Sequence, residues 1–457
     1  MPRVLLLLPT TTYRTRAFLT AARRMGVEVT IGSEKPNTLA RLNPTAFLTL
    51  SFHDPRQAAR QVVNFAAEHP IDAVVPVDDQ VTVVAAVVCR ELSLRHHSVE
   101  SAQAARNKYQ MRQLFERAGV PSPGFKLCRL ADDAQVIAGQ LNYPCVVKPL
   151  GLSGSQGVIR VDNEPEFIRA ADRLAKILQF EVARANGSLR REGHDRLPVE
   201  DQRPSVTSHF LVEDFVAGPE VALEGLLRRG ELRVLALFDK PDPLDGPFFE
   251  ETIYVTPSRL PLAASEQIVR CTGQAVEALG LSEGPIHAEL RMGSDGPCVI
   301  EVNARSIGGQ CSRVLKFGTG ISLEELIIAH ALDGGFEPPL RERQPAGVMM
   351  IPIRRAGRLS AVHGLDEAEN VSGVEQVAIS AHVGQELVPL PEGSGYLGFI
   401  FAKAASVEAV EAALREAHAR LDFVIEPCDS QTQPANTKKH QIGARPFGAL
   451  TATGGLS

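Results

Sequence analysis

The sequence predicts a fold of the α/β and α+β classes, with an open parallel α/β sheet in its N-terminal part. Its 457 residues exceed what one hydrophobic core normally organises, so two or three domains are expected. An apolar run from Arg3 to Pro9 precedes an amphipathic stretch from Ala17 to Met25, which is the pattern of a buried parallel strand and its following helix. Further along, alternating apolar and polar residues between 286 and 305 predict an antiparallel hairpin.

Residues 1–105 form the first predicted domain, an open α/β sheet. Further strands are predicted at Gly26 to Ile31 and at Ile71 to Val77, with helix-like segments between them. No G-x-G-x-x-G follows the first strand, so the phosphate fingerprint of dinucleotide-binding folds is absent. The loops Thr10 to Arg14 and Asp78 to Gln80 follow strand ends that open onto a crevice, and they are either ligand-binding or ordinary loops.

Composition and charge narrow the class of protein. The chain is 44% hydrophobic and 22% charged with a net charge of −6, which fits a soluble globular protein and disfavours nucleic acid as a partner. The apolar run Val4 to Leu8 ends at Pro9, and no apolar segment reaches membrane-spanning length, so a cytoplasmic protein with no membrane partner is expected. The seven cysteines are scattered without C-x-x-C spacing, which predicts reduced thiols.

A lysine-ended strand followed by a glycine-rich loop is the first candidate for a phosphate site. A helix is predicted to open at Asn107-Lys108 and to end at Gly119. The strand Tyr143 to Pro149 then carries Lys148 and leads into a loop with three glycines and two serines at 151–157. Such a loop aims backbone N–H groups at an anion, although many glycine-rich loops are simply turns. It is not a Walker A loop, because Gly-Lys-Ser/Thr is absent.

The middle of the chain alternates strands and loops. Residues 181–209 are polar and aperiodic, which predicts an exposed insertion or mobile loop. A strand with two adjacent acids, Glu213 and Asp214, follows it, and another strand begins at Glu220. The acids face either a ligand or water. A loop stiffened by three prolines at 239–247 suits a substrate wall, and surface structure explains it nearly as well.

The predicted hairpin carries the densest cluster of polar side chains. Its turn is Met292 to Pro297, and Glu301 and Asn303 lie on one face of its second strand. Strand pairing can bring Glu289 beside them, so three hard oxygen ligands would converge as at a Mg²⁺ site. The alternative is a strand with a polar solvent face. Arg305 favours the metal site, because a fixed cation there stabilises a phosphoryl group in transfer.

The remaining boundaries follow from pattern changes. We expect a central domain at 106–338 and a smaller α+β domain at 339–427 with a late helix from Val407 to Ala419. Residues 428–457 are rich in Gln, Thr, Gly and Pro without an apolar period, which predicts a disordered tail.

Together these motifs resemble the ATP-grasp superfamily of carboxylate–amine ligases. Within it, the chain is most similar to the L-amino-acid ligases that make dipeptides, through the segments Pro9 to Arg14, Asp239 to Pro241 and Phe248 to Glu251. The resemblance implies an ATP-grasp fold, in which two α+β subdomains clasp ATP, followed by a small C-terminal lid domain.

The resemblance also assigns expected roles. The residues expected to bind ATP are Lys108, Lys148, Ser153, Gly154, Ser155, Gly157, Glu213, Asp214, Phe215, Val216 and Glu220. Lys108, Lys148 and the loop face the phosphates, the strand Glu213 to Val216 lines the adenine through its backbone, and Glu220 lies near the ribose. The residues expected to bind Mg²⁺, or Mn²⁺ in its place, are Glu289, Glu301 and Asn303. Arg305 steadies an acyl phosphate, and Lys240 and Glu251 are further catalytic candidates.

Three positions depart from the family pattern. Asn107 stands where many members have Asp, and Asp214 stands where a second Glu is common. Ser306-Ile307 replaces the more usual proline before Gly-Gly, beside the expected acceptor site. The first two changes leave the expected chemistry intact, whereas the third leaves the substrate undefined.

The expected reaction is ADP-forming amide synthesis from a small-molecule carboxylate and an amine, with amino acids as the expected substrates. Two alternatives remain at this level: a carboxylase or ligase of a purine-pathway intermediate, and a nucleotide-binding protein without catalysis. The sequence specifies no oligomeric state, for which a homodimer is the commonest default.

Overall fold

The computed structural model describes residues 1–191, 205–333 and 337–427, so the predicted tail at 428–457 lies outside the described residues. The N-terminal elements, in chain order, are β1 (Arg3–Leu7), α1 (Thr15–Arg24), β2 (Glu28–Ser33), β3 (Phe47–Thr49), α2 (Pro55–Glu68), β4 (Ala73–Pro76), a 3-10 turn (Asp79–Val81), α3 (Thr82–Glu91) and α4 (Val99–Arg106). The strands form a parallel sheet in the order β3-β2-β1-β4, which confirms the predicted open α/β sheet.

Strand β1 is buried on both faces, as its continuous apolar run predicts. Val4 and Leu6 belong to a core that includes Phe18 of α1, whereas Leu5 and Leu7 belong to a second core beneath α2 and α3. Alternate side chains of a strand point to opposite faces, so one short apolar run joins two helical layers through the sheet.

The next group of elements forms a second sheet. Its members are α5 (Lys108–Ala118), β5 (Phe125–Arg129), α6 (Ala134–Ala138), β6 (Cys145–Pro149), β7 (Ile159–Val161), α7 (Glu164–Arg191) and β8 (His209–Asp214). The strands are antiparallel in the order β5-β8-β6-β7. Helix α5 begins as predicted, because the Asn107 side chain accepts hydrogen bonds from the N–H groups of Tyr109 and Gln110, and it ends at Gly119 with φ of 68°.

Helix α7 corrects one prediction. The loop predicted at 181–209 is helical as far as Arg191, and residues 192–204 lie outside the described residues. Phe167, Leu174 and Leu178 anchor the first turns of this helix in a hydrophobic core. Residues 181–191 include several Ala, Arg and Leu residues that propagate a helix once packing has nucleated it, although they show no apolar period of their own.

The remaining elements include the strands of the largest sheet. They are β9 (Glu220–Arg228), β10 (Glu231–Lys240), β11 (Ile253–Thr256), α8 (Leu262–Leu279), β12 (Glu283–Gly293), β13 (Gly296–Asn303), β14 (Lys316–Phe317), β15 (Ile321–Ser322), α9 (Leu323–Leu332), β16 (Ala346–Pro352), β17 (Gly357–His363), α10 (Leu365–Glu369), β18 (Val374–Ile379), β19 (Glu386–Leu387), β20 (Tyr396–Lys403), α11 (Val407–Arg420) and β21 (Asp422–Glu426). Eight antiparallel strands follow the order β13-β12-β9-β10-β11-β16-β20-β18, and β19-β17-β21 form a smaller sheet.

This large sheet carries strands from both sides of residue 338. Strands β16, β18 and β20 continue it beyond β11, so the C-terminal part of the chain packs directly onto the central part. The domain boundaries themselves stay a prediction. Across the described residues, every helix is too short or too polar to cross a membrane.

Candidate active site

The predicted hairpin is present and its acids face each other. In the β12–β13 pairing, Glu289 lies directly opposite Glu301, and His287 lies directly opposite Asn303. The sequence therefore predicted both the turn and the strand faces. Because paired residues on one face of an antiparallel ladder have neighbouring side chains, the hairpin presents a compact patch of oxygen and nitrogen donors.

A cavity of about 570 Å³ lies over this patch. Most of the residues predicted for the site line it: Lys108, Lys148, Ser153, Gly154, Ser155, Glu213, Asp214, Phe215, Val216, Glu220, Glu251, Glu289, Glu301, Asn303 and Arg305. The two N-terminal loops line it too, through Tyr13 and its neighbours and through Asp78, Asp79 and Gln80. Their position at strand carboxyl ends thus coincides with the opening of a ligand-sized cavity.

Two predicted residues do not reach the cavity lining. Gly157 has φ of 74°, and its N–H donates to the carbonyl of Pro391 at 2.9 Å, so this donor is already used within the protein. Lys240 lies beneath the surface, with only 6% of its area exposed. Its charge acts on the cavity through the carboxylates that surround it.

Lys108 joins the glycine loop to the hairpin. Its Nζ donates to the carbonyl of Leu152 at 2.9 Å and to Oε1 of Glu301 at 3.0 Å. The first residue of α5 therefore contacts both the predicted phosphate loop and a predicted metal ligand, which places a cation between them.

Lys148 forms the second cation of this wall. Its Nζ lies 2.6 Å from Oε2 of Glu213, and both side chains are buried. Burial disfavours the ammonium and lowers the pKa of Lys148 to about 8, although Glu213 opposes that effect. A bound polyanion would favour the charged form again.

Glu213 pairs with two cations of the cavity wall, Arg112 and Lys148. The fully buried Arg112 holds it in an ion pair, with Nε 2.8 Å from Oε1, and also donates to the carbonyl of Ile300 at 2.6 Å. Burial alone would raise the pKa of Glu213, but the charges of Arg112 and Lys148 lower it. The carboxylate therefore remains ionised and orients Lys148.

The aromatic end of the cavity is the part lined by Phe215 and Phe249. Phe215 and Phe249 lie beside the guanidinium of Arg291, at 5.3 and 5.6 Å from their ring centroids. Arg291 also donates to Oε2 of Glu220 at 2.9 Å and to the carbonyl of Val216 at 2.7 Å. The two rings and the fixed guanidinium offer flat surfaces on which a heteroaromatic ring can stack.

Lys240 lies at the centre of an acidic cluster. Its Nζ is 2.6 Å from Glu220, 2.6 Å from Glu251 and 3.0 Å from Glu289. Burial would lower the pKa of Lys240, but these carboxylates raise it well above the ordinary value. Burial and the neighbouring Glu289 raise the pKa of Glu251, whereas Lys240 and His287 bring that of Glu289 well below its usual range despite burial.

His287 bridges two carboxylates, Glu224 and the hairpin acid Glu289. Its ring nitrogens lie 2.8 Å from Oε1 of Glu224 and 3.2 Å from Oε1 of Glu289. Burial would lower the pKa of His287, but the two hydrogen bonds raise it to about 9. An imidazolium here holds one oxygen of Glu289 in place.

The donor set of the hairpin patch fits a hard divalent cation. Oε1 of Glu289 is held by Lys240 and His287, and Oε1 of Glu301 is held by Lys108. Among the described residues, the second oxygen of each carboxylate has no protein donor, and Glu289, Glu301 and Asn303 all line the cavity. Carboxylate and amide oxygens are the ligands that Mg²⁺ prefers. Glu220, Glu251 and Glu289 also lie close enough to hold a metal, but Lys240 supplies the cation there.

Sequence reasoning missed four side chains in these walls. Arg112 lies one helical turn after Lys108, and His287 and Arg291 flank Glu289 on the same strand face, so helix and strand periodicity could have identified them. Asp79, which lies 2.8 Å from Arg305, was predicted only as part of a crevice loop. Its partner lies 226 positions away, and no local pattern links the two.

Three regions of the chain match known families. Residues 141–314 match an ATP-grasp domain, residues 19–95 match an ATP-grasp N-terminal domain, and residues 349–426 match the L-amino acid ligase C-terminal domain 2. The order of these matches agrees with the architecture of the parallel sheet, the clasping sheets and the C-terminal strands. The chain therefore contains an ATP-grasp domain, with an ATP-grasp N-terminal domain before it.

Several of the proteins similar to this chain are named as ligases or synthases. The crystal structure of an L-amino acid ligase from Bacillus licheniformis aligns with a TM-score of 0.74 and 28% identity, covering 93% of this chain and 99% of that one. The alanine–anticapsin ligase of Bacillus subtilis is 28% identical over 60% of this chain and 56% of its own length. Dapdiamide A synthase of Enterobacter agglomerans is 29% identical over 46% of this chain and 44% of its own length. The chain thus covers about half of the length of these two curated relatives.

Proposed function

We propose that this protein is an ADP-forming carboxylate–amine ligase that joins amino acids through an acyl-phosphate intermediate. The cavity supports this proposal because Lys108, Lys148, the glycine loop and the hairpin acids all line it. A carboxylate is a poor electrophile, and transfer of the γ-phosphoryl group of ATP to it creates a leaving group. An amine then attacks the acyl carbon and expels phosphate.

The chain's own residues have separable roles in this proposal. Lys108 and Lys148 bind the phosphates, Arg305 stabilises charge on the acyl phosphate, and the aromatic end at Phe215 holds the base. Glu289, Glu301 and Asn303 would hold Mg²⁺, which neutralises charge on the phosphate oxygens when bound. The glycine loop excludes water, which would otherwise hydrolyse the intermediate.

One observation carries the amino-acid assignment. The similarity to an L-amino acid ligase extends over 93% of this chain, including a C-terminal part that matches the domain named for those enzymes. A structure such as the N5-carboxyaminoimidazole ribonucleotide synthetase of Thermotoga maritima, at 17% identity and a TM-score of 0.64, shares the fold alone. The proposal therefore favours amino acids over purine-pathway intermediates.

The decisive experiment identifies both products. The protein is incubated with ATP, Mg²⁺ and amino acids, singly and in pairs, and nucleotides are separated by chromatography while amides are detected by mass spectrometry. The expected result is ADP, phosphate and a dipeptide that appears only with a productive pair. Formation of AMP would reject the mechanism, and ADP formation only with bicarbonate or a ribotide would favour the purine-type alternative.

A further inference from the structure

We propose that Asp79, supplied by the N-terminal α/β domain, is a positioning residue that orients Arg305 towards the reacting phosphoryl group. This inference rests on the proposed function, which gives Arg305 its role. Asp79 begins the 3-10 turn after β4, whereas Arg305 follows β13 of the central domain, so the two side chains meet across the interface between these regions.

The hydrogen bonds of Arg305 leave the Nη2 nitrogen of its guanidinium for a substrate. Its Nε donates to Oδ2 of Asp79 at 2.8 Å, and its Nη1 donates to the carbonyl of Ser306 at 2.9 Å. Among the described residues, Nη2 has no acceptor, and Arg305 lines the cavity. Two fixed bonds on a planar group determine the direction of the third nitrogen.

The loop that carries Arg305 is itself tied to the N-terminal sheet. Arg14 donates through Nη2 to Oγ of Ser306 at 2.7 Å and through Nη1 to the carbonyl of Val77 at 3.0 Å. The end of β4 and the segment after β13 are therefore held together independently of Asp79. Loss of the Asp79 carboxylate would release the Arg305 side chain without separating the two loops.

The pair is sheltered, and Asp79 is ionised within it. Their side chains are 15% and 14% exposed. Burial would raise the pKa of Asp79, but Arg305, Arg106 and Lys108 lower it below the ordinary value. Because a neighbouring carboxylate reduces the positive field of an arginine, Asp79 contributes through orientation rather than through added charge.

Two substitutions separate the hydrogen bond from the charge. Asp79→Asn keeps an acceptor for Nε, whereas Asp79→Ala removes it. We expect kcat to fall about 10- to 100-fold in Asp79→Ala and less in Asp79→Asn, with KM for ATP within about twofold of the wild type, as for loss of a group that orients a reacting one. Glu28→Gln is the matched control, because Glu28 pairs with Arg3 in the same sheet and lies outside the cavity lining.

A double-mutant cycle distinguishes positioning from simple structural support. If Asp79 acts through Arg305, then Asp79→Ala has little further effect on kcat in an Arg305→Ala background. If the losses of kcat from the two substitutions add, or if Asp79→Ala keeps a normal kcat while the wild type is active, the positioning role of Asp79 is overturned. Neither outcome would affect the proposed function. A wild-type protein that forms no ADP with any amino-acid pair would overturn the proposed function instead. Thermal melting of each variant checks that the fold is retained.

Discussion

Arg173 and Glu392 form a two-point ion pair, with Nε 2.5 Å from Oε1 and Nη2 2.8 Å from Oε2. Arg173 lies in α7, whereas Glu392 lies in the C-terminal loop that precedes β20. Beside this pair, the Gln156 amide donates to the carbonyl of Glu392 at 2.9 Å, and Gly157 donates to Pro391. The C-terminal loop therefore holds the glycine loop over the cavity, which agrees with a lid role for this part of the chain.

Replacing Glu392 with Gln tests this contact. The two side chains are 42% and 40% exposed, so the ion pair contributes at most about 1 kcal/mol after solvent screening. We expect KM for ATP to rise by about twofold to fivefold, because each 1.4 kcal/mol corresponds to a factor of ten, while the melting temperature changes little. Asp172→Asn, which removes an exposed pair with Lys176 on the same helix, is the control. Equal effects of both variants on KM would argue against the lid contact.

Glu301→Gln tests the metal site. The change keeps the size of the side chain but removes the charge that faces Glu289 and the cavity. We expect kcat to fall at least about 100-fold, as for removal of a group that stabilises transition-state charge, and thermal melting checks that the fold is retained. Asp295→Asn in the exposed turn of the same hairpin should remain fully active. Near-normal turnover of Glu301→Gln at saturating Mg²⁺ would exclude Glu301 as a ligand.

The sequence predicted the secondary-structure elements better than it predicted which distant side chains pair with each other. Alternation and turn residues located the hairpin and placed Glu301 and Asn303 on one strand face, because those features depend on local backbone geometry. The pairing of Arg112 with Glu213, 101 positions apart, arises only when the fold brings α5 close to β8. The helical extension of α7 was missed because residues 181–191 show no apolar period of their own.

Lys148 should make ATP binding depend on pH. Its pKa in the free protein is about 8, and a bound polyphosphate raises it by favouring the ammonium. At a pH between the pKa of Lys148 in the free protein and its pKa in the ATP complex, the complex holds a proton that the free protein lacks. ATP binding therefore takes up protons, and the affinity for ATP falls as the pH rises above about 8. Calorimetry in buffers of different ionisation enthalpy measures this uptake directly.

Substitutions at Lys148 complete that test. Lys148→Ala should weaken ATP binding about 10- to 100-fold, because a hydrogen bond to a charged group contributes about 1.5–3 kcal/mol. Lys148→Arg retains a cation that stays protonated across this range, so its proton uptake should be smaller than that of the wild type. Unchanged ATP affinity in Lys148→Ala would contradict the phosphate role.

Lys240→Met tests whether the buried ammonium serves as a permanent cation for Glu220, Glu251 and Glu289. Removing it leaves carboxylates crowded in a poorly solvated space, so the free energy of unfolding should fall by about 3–5 kcal/mol. These carboxylates can offer oxygens within 4.8 Å of one another, so a divalent cation can take the place of Nζ. Added Mg²⁺ should therefore restore stability to Lys240→Met more than to the wild type, by up to about 2.7 kcal/mol at a hundredfold excess over Kd. Denaturant unfolding with and without Mg²⁺ measures both effects. Equal stabilisation of the two proteins by Mg²⁺ would show that the ammonium does not occupy a cation site, since its removal would then have created none.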